Sequence, residues 1–138
     1  MTLSSLIERL EKAEGPDREL DADIAAAVLG GEIQWQTAMT GDALPVRKYP
    51  SKDHIRGFGR EPVQRYTSSI DAALTLVPEG FKWKTGYSRH VPHNAVIQDY
   101  RANPILGAFT GECDSNRAIA ICIASLRARS AMTGEGQS

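Results

Sequence analysis

The sequence predicts an α+β fold: an antiparallel sheet of three or four strands with helices on both faces, an α/β/α sandwich. Three observations carry this. Helical stripes stand near the two ends of the chain, at Leu3, Leu6, Ile7, Leu10 and at Ile119, Cys122, Ile123, Leu126, spaced i, i+3, i+4, i+7. Between them, residues 81–88, 94–100 and 105–112 read as strands joined by turns around Arg89 to Pro92 and Asn103-Pro104, the pattern of a meander. A capped helix over 68–77 leads directly into the first of these strands.

The first helix places Glu8, Glu11 and Lys12 outside its stripe. Gly15-Pro16-Asp17 interrupts it. Pro16 in a first turn, with Asp17 and Glu19 near the positive end of the dipole, starts a second helix whose apolar face is Leu20, Ile24, Ala27 and Val28. Gly30-Gly31 ends it. Both stripes are thin and need a sheet or a partner chain to cover them, so a homo-oligomer, a dimer or larger, is expected. Residues 33–37 alternate as a short strand. Residues 41–65 lose periodicity: they hold Gly41, Pro45, Pro50, Gly57, Gly59 and Pro62 with six cations, Arg47, Lys48, Lys52, Arg56, Arg60 and Arg65. They read as a long Gly/Pro/Arg-rich loop, functional or disordered.

Ser68 is the expected N-cap of the central helix, with Asp71 as its capping-box partner. Ile70, Ala73, Leu74 and Val77 form its expected apolar face. Pro78 stops it and Gly80 turns the chain. Asp114-Ser115-Asn116 caps the last helix, with Arg127 and Arg129 in its final turn, where cations complement the dipole. One domain over 1–132 and a loose tail over 133–138 follow.

With a net charge of −1 over 138 residues, the chain is no generic binder of duplex nucleic acid. The charge is uneven: residues 1–32 hold eight acids against three bases, a net of −5, and residues 47–101 hold ten bases against five acids, a net of +5. Two solvated faces explain this, as does a basic middle that meets an anion or another subunit's acidic helices. There is no run of 18 apolar residues, so no membrane span is expected. The first twenty residues carry acids and are no secretory signal. Cys113 and Cys122 are too few for a disulfide scaffold and lack zinc spacing; a reducing cytoplasm is the natural setting.

No nucleophile elbow, phosphate loop or dinucleotide fingerprint is present. His90-x-x-His93 flanks Pro92 in a turn and has no third ligand nearby, so no metal or other cofactor is expected. His90 or His93 with Asp99 is the sole acid–base pairing on offer. Candidate ligand-binding residues fall in three groups. Phe81 and Trp83 share a strand face and are either core or a stacking platform; Lys82, Lys84, Arg89 and Arg101 on the same segment favour the platform. Asn94 either reads a base edge or holds a turn, and Arg127 and Arg129 either cap a helix or bind phosphate. In the basic segment, Phe58 offers a ring and Arg56 and Arg60 flank it with cations.

Two stretches carry a resemblance. Leu-Glu-Lys-Ala-x-Gly-Pro-Asp-Arg-Glu-Leu-Asp (10–21) and Tyr-Thr-x-Ser-Ile-Asp-Ala-Ala-Leu-x-Leu-Val-Pro-Glu-Gly (66–80), with Phe-x-Trp and a terminal Leu-Arg-Ala-Arg (126–129), resemble the phage ABA-sandwich domain family of small phage and prophage proteins. The resemblance spans most of the chain outside 36–65 and implies layers, not an activity. A weaker likeness, through Phe81, Asn94, Arg127 and Arg129, is to phage Thoeris anti-defence sponges, which hold cyclic nucleotide signals between subunits. These likenesses imply a non-enzymatic binder in the cytoplasm of a bacterial host that sequesters a cyclic nucleotide or a cyclic ADP-ribose-type signal. The alternative is a protein-interaction module that contacts a host or phage protein through the basic loop or the acidic helices.

Overall fold

The computed structural model describes residues 2–86, 93–99, 108–113 and 116–133. Arg89, His90, Arg101, the turns around 89–92 and 103–104, Asp114-Ser115 and the tail beyond Thr133 lie outside them. The chain is α+β. Its elements run α1 (Leu3–Glu11), α2 (Arg18–Leu29), β1 (Glu32–Thr37), β2 (Ala43–Pro50), β3 (Phe58–Pro62), α3 (Ile70–Leu74), β4 (Phe81–Gly86), β5 (His93–Asp99), β6 (Ala108–Cys113) and α4 (Arg117–Thr133). The strands form two antiparallel three-stranded sheets, β1-β2-β3 and β4-β5-β6, where the sequence reading expects one.

The additional strands β2 and β3 come from within 41–65, the segment read as a loop. Its prolines conceal the alternation without preventing pairing. Pro45 can only accept at its place: its C=O takes Val63 N at 3.1 Å, and Val63 O, which an N–H at 45 would have met, takes Arg18 instead at 2.9 Å. Pro50 and Pro62 stand at strand ends, where a missing donor is tolerated.

Helix α4 packs against β6 and β5, with α1 and α3 also against it; α2 packs on α1 and on β2. The sequence assigns α4 a one-sided stripe, but Ala118, Ile119, Ala120, Ile121, Cys122, Ile123, Ala124, Ser125, Leu126 and Ala128 are all buried. A helix apolar all round belongs inside, and four alanines let its neighbours approach. Asn116 caps it, its side-chain Oδ1 accepting from Ala118 N at 2.7 Å. Because α4 continues to Thr133, Arg127 and Arg129 lie before its last turn, which holds no basic residue. They therefore do not offset the dipole end, and Thr133 belongs to the helix instead of the tail.

The cap of α3 is Ser69, one residue later than expected; its Oγ accepts from Ala72 N at 3.2 Å. Ala72 and Ala73 are its buried residues, Leu76 just beyond it is buried as well, and Ile70 is 41% exposed. The helix gives way after Leu74 to i→i+3 bonds, Thr75 N to Ala72 O and Leu76 N to Ala73 O, which rotate the buried face. In α1 the expected stripe is the buried one. In α2 the buried face is Leu20, Asp21, Ala22, Ile24 and Ala25, and Ala27 is exposed. The N-cap of α2 is Asp17, and Pro16 precedes it.

The rotation of α2 follows from Asp21, which is 1% exposed. Its Oδ1 accepts from Thr67 N at 2.7 Å and from Thr67 Oγ at 2.8 Å, and its Oδ2 pairs with Arg18 at 2.8 Å. Arg18 also donates to Val63 O, and Asn116 Nδ2 donates to Thr67 O. One buried polar cluster therefore ties α2, the segment before α3 and the start of α4.

Next to it, the Cys122 thiol donates to Tyr66 O at 3.3 Å. Burial pushes the Cys122 thiol well above its ordinary value of 9.0 and raises the Tyr66 phenol above 10.0, Glu61 adding to the latter. Both groups hold their protons more tightly in the folded chain than in the unfolded one. Their contribution to stability is thus fully present below the unfolded thiol value and is lost as pH rises past it. The urea midpoint is expected to hold steady through neutral pH and to fall above 9.0, with Cys122→Ala moving the onset up towards the phenol range. Peptide mapping after native alkylation should find Cys122 unmodified; ready modification would place the thiol outside the core.

Candidate functional site

The nine sequence-predicted site residues do not form one cluster. Directly opposed residues share a sheet face. In the β4-β5-β6 sheet, Trp83 opposes Ile97 and Ile97 opposes Phe109, on the face turned to α4. Phe81 lies on this same face and is buried, a core residue; Trp83 is 50% exposed at the edge strand. Asn94 is on the other face, across from Gly86, so the structure separates it from both aromatics. Arg127 donates to Thr110 O and pairs with Glu11 at 2.6 Å. Arg129 donates to Leu76 O at 2.8 Å, and burial lowers its pKa from the ordinary guanidinium value. The two arginines thus join α4 to different elements. Arg89 is outside the described residues.

Of the other three residues, Phe58 and Arg60 lie on β3 and meet, and Arg56 lies in the turn before it. Even-numbered β2 residues face away from Pro45, Arg47 and Gly59, whose side is turned towards α2 and buried or largely so. On the outward face Lys48 opposes Arg60, and Pro50 opposes Phe58. Lys48 Nζ stands 4.2 Å from the centre of the Phe58 ring and the Arg60 guanidinium 5.4 Å from it. Arg56 is exposed in the turn just before Gly57 and Phe58. Gly57, at φ 77, makes that turn possible; its C=O accepts from Ser51 N at 3.0 Å and closes the hairpin.

Like charges directly opposite in a sheet repel. Lys48 and Arg60 face each other, and neither forms an ion pair among the described residues. Glu32 opposes Lys48 in register but makes no salt bridge to it. The Phe58 ring is the shared neighbour of both cations, and each exposed contact of this kind contributes about 0.5–1 kcal/mol. Beside the ring runs a groove of about 340 Å³ lined by Gly31, Glu32, Lys48, Tyr49, Pro50, Gly57 and Phe58. Its underside is fixed by Arg47, which stacks over Tyr49 at 4.6 Å and pairs with Glu61. Tyr49 in turn lies on Gly59, where a Cβ would come 2.6 Å from the ring.

This arrangement presents an aromatic surface, an apolar groove and two cations with no carboxylate bound to them. It can hold a flat ring that carries a negative charge. It offers no nucleophile with a base beside it. His93 and Asp99 occupy the two ends of β5, six residues and roughly 20 Å apart along a strand, so they are not an acid–base pair. Among the described residues no group of three His, Cys, Asp or Glu could hold a metal ion, and no helix is long and apolar enough to cross a membrane. Lys48, Tyr49 and Pro50 were not legible as site residues, because their strand was hidden between prolines. The available signal was the alternation of Val46, Lys48 and Pro50 against Pro45, Arg47 and Tyr49. No protein-family profile, curated protein or solved structure matches this chain.

Proposed function

We propose that the chain is a non-enzymatic binder that sequesters a nucleotide-type signal, a cyclic nucleotide or a cyclic ADP-ribose-type ring, on the Lys48, Phe58 and Arg60 face. One observation carries this reading: two cations without carboxylate partners converge on one aromatic ring beside an apolar groove. A base has a π-face that suits the ring and groove. Its phosphate would supply the counter-charge that Lys48 and Arg60 lack, and a guanidinium offers planar paired donors to phosphate oxygens. The likeness to phage ABA-sandwich and anti-defence proteins supports a phage-encoded protein in the cytoplasm of a bacterial host, protecting the phage by removing the signal.

The test is equilibrium dialysis against a panel of cyclic mono- and dinucleotides and cyclic ADP-ribose isomers, with mass spectrometry of what heat releases. At least one ligand should be depleted and returned chemically unchanged. Phe58→Ala, Lys48→Ala and Arg60→Ala should each weaken binding about tenfold, about 1.4 kcal/mol. Binding that survives all three substitutions would sink this site, and a converted ligand would sink the non-enzymatic reading.

A second reading, a protein-interaction module, is favoured by Ile55, fully exposed at the tip of the β2–β3 hairpin between His54 and Arg56. Under it, Ile55→Ser would abolish capture of a host or phage protein while nucleotide binding stayed absent.

A further inference from the structure

Among the described residues four strands form sheet edges, and three of them are protected against pairing with another chain. β3 carries Arg60, Glu61 and Pro62, β4 carries Lys82 and Lys84, and the Thr110 carbonyl of β6 is taken by Arg127. Charges, lysines, prolines and covered carbonyls are the usual means of blunting an edge. β1 has none of them after Glu32: residues 33–37 are Ile, Gln, Trp, Gln and Thr.

The hydrogen-bond alternation shows which groups β1 leaves open. Ala38 N donates to Asp42 O at 2.8 Å, which makes 38 and 42 a bonded pair continuing the β1–β2 register. Bonded and non-bonded pairs alternate in an antiparallel ladder. Gln36, Gln34 and Glu32 therefore bond to β2, and Ile33, Trp35 and Thr37 turn their N–H and C=O outward. Pro45 confirms the phase: it opposes Trp35, and its carbonyl bonds to Val63 on the far side. Among the described residues, nothing accepts or donates at those outward groups, and Trp35 is 47% exposed.

We infer that β1 pairs with β1 of a second copy of this chain, antiparallel about a twofold axis through Trp35. The occupant follows from the sequence of the edge. Ile-Gln-Trp-Gln-Thr holds no charged residue, so paired antiparallel with its own copy the edge is self-complementary, which is what an isologous interface requires. Such pairing sets Trp35 against Trp35, Gln34 against Gln36, and Ile33 against Thr37, with no like charges opposed. Odd residues then meet odd residues, so the β1-β2-β3 sheets of the two copies keep their helix-facing sides aligned and merge into one six-stranded sheet. All outward groups of 33, 35 and 37 are used, about six hydrogen bonds by the same alternation, and the two indoles form a cross-strand aromatic pair. Leu29, 51% exposed at the end of α2 next to Arg47, extends the apolar surface on that side.

Sedimentation velocity across a concentration series tests this on the full chain. Wild type should shift from monomer to dimer as concentration rises. Thr37→Pro removes one outward N–H and no bond to β2, so it should remain monomeric with an unchanged far-UV spectrum. Trp35→Lys, which places a lysine on the edge, should do the same if the proline variant folds poorly. In a Cys113→Ser background, Trp35→Cys should oxidise to a covalent dimer and Met39→Cys should not. A wild type that stays monomeric, or a dimer unaffected by Thr37→Pro and Trp35→Lys, overturns the inference. Neither result bears on Lys48, Phe58 and Arg60, the cations and ring of the proposed ligand face, which are on β2 and β3.

Discussion

Asp21→Ala is expected to destabilise the protein by about 3–5 kcal/mol, the range for removing one member of a buried ion pair. The carboxylate is 1% exposed and accepts from three donors: the Thr67 N–H, the Thr67 hydroxyl and Arg18. Thr67 Oγ also lies 3.2 Å from Asp17 O, but a hydroxyl has one proton and the carboxylate is the stronger acceptor. Alanine strands the buried Thr67 N–H, turns the Thr67 hydroxyl to the Asp17 carbonyl, and leaves the Arg18 guanidinium with only the Val63 and Gln64 carbonyls. Unmade bonds at buried groups are penalised more than made bonds are rewarded. The damage should spread, because Thr67 O also receives Asn116, the cap of α4. Asp21→Asn keeps an acceptor for Thr67 and loses the charge facing Arg18, so it should lose less, about 1.5–3 kcal/mol. Urea unfolding of the three proteins checks this. An alanine variant within about 0.5 kcal/mol of wild type would mean that the cluster does not tie these elements together.

Gly111→Val is expected to cost 3 kcal/mol or more, roughly the upper end for overpacking a core, and Gly111→Ala about 1–3 kcal/mol. Gly111 is buried on β6 with no positive φ, so its backbone conformation is open to any residue. Space decides instead. A Cβ there would run into Ala120 O and come 2.7 Å from Ala124 N and 2.9 Å from Ile123 Cβ. Two of these are main-chain atoms of α4, and they can yield only if the helix moves. α4 also packs on β5, α1 and α3, so lifting it from β6 disturbs the centre of the molecule. Graded losses in the urea midpoint, alanine then valine, are the expected result. A valine variant as stable as wild type would show that α4 is not seated on β6 at this point.

Part of the fold was legible because it depends on near neighbours in the chain. The α1 stripe, the β1 alternation, the glycine stop after α2, the Asn116 cap and the strand after Pro78 are all set by contacts within a few residues. The face of Lys48, Phe58 and Arg60 was half legible. Phe58, Arg56 and Arg60 stand out in a segment rich in cations, but Lys48 becomes their neighbour only through the β2–β3 register. Phe81 was legible as an aromatic on a strand face, and burial assigned it to the core. Arg127 and Arg129 looked alike at the end of a helix; two residues along a helix turn side chains to opposite sides, and their partners proved to be Thr110 with Glu11 and Leu76.

By itself the sequence determined that helices flank antiparallel strands, and where most of them begin. Hydrophobic period, caps and breakers act over a turn of helix or a pair of strand residues, so they are written locally. Only the tertiary structure decided that there are two sheets, that α4 is buried on every side, and that Asp21 is a core residue. It also decided that Lys48 and Arg60 face each other over Phe58. Each of these depends on residues brought together from distant parts of the chain. A carboxylate, a proline or a lysine has no fixed role until the groups that surround it are in place.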